Sequence, residues 1–203
     1  MIIKKIFVVS LLFVLSGITT ISADNSNLDH FGQGKIYTTL QGGWGKAFSL
    51  GIAGDGDGRH SEYSAILPQL GIGLTDVLGE NSWYRGNLDV VFEGEFLLAY
   101  EPQRGYTAGL GLLFRYNFLF SEQWVPYFEI GGGVGTLDFD LRDQADGIIF
   151  YPQAGLGMHY FLTDNLSADL GWRFHHMSNA NTKMPNNSIN ASLLLFGVSW
   201  YFD

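Results

Sequence analysis

From Lys35 to the end of the chain, apolar residues recur at every second position. Leu88, Val90, Phe92, Phe96, Leu98 and Tyr100 share one parity, with Asn87, Asp89, Glu93 and Glu95 between them. The next segment repeats this: Tyr106, Ala108, Leu110, Leu112, Phe114, Tyr116 and Phe118 alternate with Thr107, Gly109, Gly111, Arg115 and Asn117. A period of two marks a strand with one apolar and one polar face, and no helix produces it. Similar segments lie at 35–45, 64–75, 124–137, 148–161, 166–178 and 189–202, separated by clusters such as Asp138–Gly147 and Thr163-Asp164-Asn165.

The pattern predicts about eight strands of roughly ten residues or more, the signature of a small outer-membrane barrel. The fold class expected is therefore all-β, an eight-stranded antiparallel transmembrane β-barrel. The sheet must close, because an open edge in hydrocarbon leaves backbone groups unpaired. A soluble β-sandwich also alternates, but its Gly-rich faces would lie in solvent and lose entropy without return, whereas inward Gly relieves crowding in a narrow barrel. Pro68, Pro126 and Pro152 each remove a ladder donor, so strand ends or bulges are their expected places.

Composition sharpens this picture. Lys4 and Lys5 precede an apolar run from Ile6 to Ile21, and Ser22-Ala23 offers small residues for cleavage, the layout of a secretory signal peptide over residues 1–23. Residues 24–203 then form a single domain. Loss of residues 1–23 removes two Lys and no acid, taking the formal charge from −9 to −11 and leaving no electrostatic footprint for nucleic acid. Cysteine is absent, which excludes both disulfides and a lipid anchor on Cys. An aromatic content of 15%, 27 Gly and a charged fraction of only 15% suit strands that face lipid.

The face opposite the apolar one carries Glu93, Glu95, Arg115, Glu129, Gln153, His159, Asp169, Arg173 and His175. These read as a polar network filling a barrel too thin to conduct, with carboxylates paired to Arg. With both chain ends in the periplasm, the connections near 46–62, 101–105, 138–147 and 179–188 face outside the cell. His176 and Ser178 then lie at the outer end of the seventh strand. They share the parity of Leu170, Trp172 and Phe174 and point at lipid, while His175 points inward and is structural. A polar pair on the lipid face is costly unless it lies at the interface and performs a task. Two residues apart on one face, an imidazole and a hydroxyl meet as general base and nucleophile must. On parity, the facing position of the last strand is Asn190, and the connection from Asn179 to Ile189 can supply N–H groups to an oxyanion.

The segment His176-x-Ser178-Asn179-Ala180, followed by Pro185-Asn186 and the position of Asn190, resembles the lipid A deacylase family of outer-membrane barrels, the PagL-like enzymes. The resemblance implies hydrolysis of the ester that holds the 3-hydroxyacyl chain at the 3 position of lipid A, without metal or organic cofactor. It implies Ser178 as nucleophile, His176 as general base, and Asn179, Ala180, Asn181 and Asn186 as support for the oxyanion and its loop. The best-known family pattern carries Glu where this chain has Asn190. An amide oxygen can fix the imidazole tautomer but brings no charge to the imidazolium, so a slower or narrower enzyme is expected.

The expected partners are lipid A or lipopolysaccharide and the outer membrane, with a homodimer compatible with an apolar outer wall. The competing reading is a non-enzymatic small barrel that binds lipopolysaccharide or stabilises the membrane; a lipid acyltransferase is a third. The acidic stretches Asp55-Gly56-Asp57-Gly58 and Asp138 to Asp146 hold carboxylates that suit calcium, but their spacing is incomplete for the known loop pattern, so solvated loops are expected.

Overall fold

The computed structural model describes residues 26–50 and 56–202. The signal-peptide expectation for residues 1–23 lies outside the described residues. Eight strands close into one antiparallel barrel in chain order: β1 (Ile36–Phe48), β2 (Glu62–Gly73), β3 (Gly86–Glu101), β4 (Gly105–Phe118), β5 (Trp124–Asp138), β6 (Gly147–Thr163), β7 (Leu166–Met177) and β8 (Ile189–Tyr201), with β8 pairing back onto β1. Every expected strand segment is present, most of them longer than the alternation alone delimits. Closure leaves no edge unpaired. Among the described residues no helix is long and apolar enough to cross a membrane.

The alternation becomes an inside and an outside. In β2 buried and exposed residues follow one another almost strictly, and around the barrel Leu40, Trp44, Phe92, Leu110, Phe114, Ile130, Leu156, Leu170 and Phe196 are exposed. A continuous apolar outer wall suits lipid as solvent. The inside is not uniformly polar, as the parity reading of its charged residues suggested. It has three layers. At the end where β1 begins and β8 ends, here the near end, Phe31, Tyr37, Leu113, Val125, Phe161 and Tyr201 form an apolar plug. The far end holds a second apolar cluster that includes Tyr63, Leu67, Leu97, Ile149, Tyr151, Met177 and Leu193.

Between them runs the polar belt. Arg115 donates from Nε and Nη2 to Glu129 Oε2 at 3.0 and 2.8 Å, and Arg173 donates from Nη2 to Glu129 Oε1 at 2.7 Å. Arg173 Nη1 also reaches both oxygens of Glu93 at 2.8 Å, while Gln69 and Gln153 donate to the same carboxylate. Buried charges persist only when paired and hydrogen-bonded, and here two guanidinium groups hold two carboxylates. The large inward side chains need room. Tyr63 lies where a Cβ on Gly45 would stand 2.4 Å from its ring, and Tyr151 does the same to Gly133.

The prolines depart from the expectation. Pro126 is near the start of β5, but Pro68 and Pro152 are well inside their strands, with Gly94 and Gly132 opposite them. All three side chains stand on the outer face, and the ladder between β2 and β3 is unpaired at Leu67 and Pro68. A missing N–H is tolerated by opening one ladder position rather than by bulging the strand.

Candidate active site

The candidate residues gather on the outer wall at the far end of β7 and β8. His176 faces Asn190 in the register, and Ser178, one residue past β7, forms an isolated bridge with Phe150 of β6. The Phe150 N–H donates to Ser178 O at 2.7 Å and the Ser178 N–H to Phe150 O at 3.0 Å, which holds the backbone at Ser178 in extended form. His176 and Ser178 are half-buried on the outward parity, whereas His175 between Phe174 and His176 is fully buried inside, its Nε2 2.9 Å from Glu95 Oε2. The same register puts Pro152 opposite His176. Lacking an N–H, Pro152 leaves the carbonyl of His176 without its ladder donor, a local weakness in the sheet directly beside the imidazole.

His176 Nδ1 lies 2.6 Å from Asn190 Oδ1. An amide oxygen only accepts, so Nδ1 carries a proton and, in the neutral imidazole, the lone pair is on Nε2. Asn190 has outward parity but is not exposed to lipid as parity predicts: only 1% of its surface is accessible. Phe48 stands opposite it on β1, and the Phe48 and Phe174 rings, on strands either side of β8, approach to 6.1 Å between centroids. They meet over β8 and shelter the imidazole–amide contact from that side. Trp172, on the same face, donates from Nε1 to Ser192 Oγ at 2.6 Å. Parity puts Trp172 and Phe174 on the lipid face but does not reveal that they and Phe48 pack around the site, because each looks like one more lipid-facing aromatic.

Ser178 makes different contacts from those expected. No hydrogen bond joins it to His176. Its hydroxyl lies 3.2 Å from Asn186 Oδ1 and 3.1 Å from Asn186 Nδ2, and the Ala180 N–H donates to Ser178 Oγ at 3.1 Å. The amide is oriented by its other partners: Asn179 N–H donates to Asn186 Oδ1 at 3.1 Å, and Asn186 Nδ2 donates to Asn181 Oδ1 at 3.0 Å. Asn179 itself is buried and ties the loop together, donating to Lys183 O at 2.6 Å and accepting the Thr182 N–H and hydroxyl on its carbonyl oxygen. Ala180 and Asn181 have φ of 51° and 61°, a left-handed pair that turns the Ala180 N–H back onto the hydroxyl. The loop thus brings Ser178, Ala180 and Asn186 together. Asn179 and Asn181 serve it from behind.

Of the acidic stretches, Asp55 lies outside the described residues, and two carboxylates of the second stretch turn back onto the loops. Asp146 accepts the Phe139 N–H at 3.0 Å and the Asp140 N–H at 3.3 Å, and Asp143 accepts from Asn187 Nδ2 at 3.3 Å.

A family model described as lipid A 3-O-deacylase (PagL) matches residues 65–199. Among solved structures, the outer membrane enzyme PagL is similar with 20% identity over 78% of this chain and 97% of its own, at a TM-score of 0.60. Neisserial surface protein A is similar with 17% identity over 82% and 97% of the two chains, at 0.57. The N-terminal β-barrel domain of Pseudomonas aeruginosa OprF gives 13% identity over 84% and 99%, at 0.52. At such identities the structural likenesses establish the fold, that of an outer-membrane barrel. No curated protein sequence matches the chain.

Proposed function

Since the chain belongs to the lipid A 3-O-deacylase family, we propose that it hydrolyses the ester of the 3-hydroxyacyl chain at the 3 position of lipid A, with its far end at the outer leaflet. Ser178 is the nucleophile and His176 the base. The observation that carries this reading is the 2.6 Å contact of His176 Nδ1 with Asn190 Oδ1, which leaves Nε2 basic on the same wall as the Ser178 hydroxyl. Rotation about the Ser178 Cα–Cβ bond moves the hydroxyl from Asn186 toward that nitrogen. Oγ then attacks the ester carbonyl as its proton passes to Nε2. The Asn186 Nδ2 and Ala180 N–H groups, aimed at Oγ in the resting site, stand within reach of an oxyanion on the carbon bonded to Oγ. Collapse returns the proton from His176 to the departing sugar hydroxyl. Water, deprotonated by the same imidazole, then releases the 3-hydroxy fatty acid.

Incubation of the purified protein with lipid A, read by mass, tests this. Loss of one 3-hydroxyacyl chain with wild type, absent with Ser178→Ala, is the expected result. Deacylation that survives Ser178→Ala overturns it. The alternative, a non-enzymatic barrel that binds lipopolysaccharide or stabilises the membrane, draws on two observations: Asn instead of Glu at 190, and a hydroxyl bonded to Asn186 rather than to the base. An unchanged lipid A mass with wild type supports it.

A further inference from the structure

The loop that carries Asn186 does not stand alone. Asn186 forms an isolated β-bridge with Gln144, in the connection between β5 and β6. The Ala145 N–H donates to Pro185 O at 2.8 Å, and the Asn187 N–H to Asp143 O at 3.0 Å, so the two connections form a short two-stranded ribbon across the far mouth of the barrel. Side chains add to it: Asn187 Nδ2 donates to Asp143 Oδ2 at 3.3 Å, Lys183 Nζ donates to Asp146 O at 3.1 Å, and Gln144 is the buried one. Gln144 is 2% exposed, and its Oε1 accepts the Ser188 N–H at 2.8 Å. Ser188 has a φ of 53°, a backbone state that a β-branched-free but Cβ-bearing residue enters only when its surroundings hold it. Among the described residues, the bond from Gln144 is the one hydrogen bond on that N–H. It fixes the chain two residues past Asn186.

We propose that Gln144 is a positioning residue of the site: by clamping Ser188 it holds the Asn186 amide against the Ser178 hydroxyl. This rests on the reading of Ser178 as nucleophile. The amide must stay in register with an oxyanion that exists only in the transition state. Slack in its loop therefore lowers turnover more than lipid binding, which the outer wall and its aromatics provide. What matters in Gln144 is the acceptor oxygen, since among the described residues its amide nitrogen makes only a 3.4 Å contact with the neighbouring Ala145 O.

The experiment compares kcat and KM for deacylation of lipid A in detergent micelles by wild type, Gln144→Leu, Gln144→Glu and Ser178→Ala, with barrel folding checked by heat-dependent gel mobility. Gln144→Leu lowers kcat by about tenfold to a hundredfold with KM unchanged, the scale of about 1 Å of misplacement near a reacting group. Gln144→Glu, which retains an acceptor for the Ser188 N–H, keeps most of the activity. A wild-type kcat in Gln144→Leu, a rise in KM alone, or a Gln144→Glu as poor as Gln144→Leu overturns the proposal. Should Gln144→Leu fail to fold, Gln144→Ala decides by the same split. Activity that survives Ser178→Ala defeats the underlying reading instead, whatever the Gln144 variants do.

Discussion

Two histidines adjacent in the chain have opposite surroundings. His175 points inward to the carboxylate of Glu95, on a wall whose next layer is the Arg–Glu belt, whereas His176 points outward to the neutral amide of Asn190. The division extends to their neighbours. Inside, Glu93, Glu129, Arg115 and Arg173 carry charge. Outside, the site is built from Ser178, Asn179, Asn181, Asn186 and Asn190, hydroxyl and amides alone. Charge survives in the belt because every member has an opposite partner within the closed wall. On a face turned to lipid a lone carboxylate has no such partner, and neutral groups can be sheltered by Phe48 and Phe174 at lower desolvation cost.

The largest expected effect separates function from fold along this line. Ser178→Ala reduces deacylation by on the order of a thousandfold or more, while the urea midpoint of the barrel stays at the wild-type value, because the hydroxyl bonds only to its own loop. Arg173→Met should do the reverse. It leaves Glu93 and Glu129 with an unmatched buried charge, and breaking such a network from one side costs about 3–5 kcal/mol, measurable as a lower urea midpoint. A stable Arg173→Met barrel would mean that the belt is not what holds the closed wall together.

Next in size is Asn190→Ala. Without the amide oxygen, nothing fixes the proton on His176 Nδ1, and the rate should fall by roughly a hundredfold, below the ~10⁴ that a wrong tautomer costs in a serine-protease triad. The corresponding change on the inner side, His175→Gln, should alter deacylation by less than about threefold, since a group outside the reacting unit affects it only through stability. Equal losses in the two variants would dissolve the contrast between the histidines.

Much of this organisation was legible in the chain. Strand number, the outward parity of His176 and Ser178, the inward parity of His175 and the pairing of position 176 with position 190 all follow from a period of two, which the barrel preserves from end to end. Parity says which face a residue takes, not what covers it. Asn190 was therefore expected at the lipid, and its shelter under Phe48 and Phe174 depends on rings from two strands leaning over a third. Runs such as Leu193-Leu194-Leu195-Phe196 are apolar on both parities, which hid the apolar inner layer to which Leu193 and Leu195 belong. The contacts of Ser178 were illegible for another reason. They come from a loop whose two left-handed residues and bridge to Gln144 have no periodic signature.

The smallest effect gives the finest test of the contrast, and it comes from moving charge across the wall with Asn190→Glu. Glu can present a carboxylate oxygen to His176 Nδ1 and stabilise the imidazolium that forms as Ser178 gives up its proton. Against this, the carboxylate is one methylene longer and enters a site with 1% accessible surface beneath two aromatic rings. The transition-state gain and the ground-state desolvation oppose each other. A rise in kcat of about threefold to tenfold, of the order of one charge-assisted hydrogen bond discounted for its desolvation, should accompany a slightly lower urea midpoint. Adding Phe48→Ala lets water reach the carboxylate, which should restore the midpoint and cancel the gain in kcat. If Asn190→Glu instead leaves both rate and midpoint unchanged, the outer wall tolerates charge as well as the inner belt does, and the neutrality of the site needs another cause.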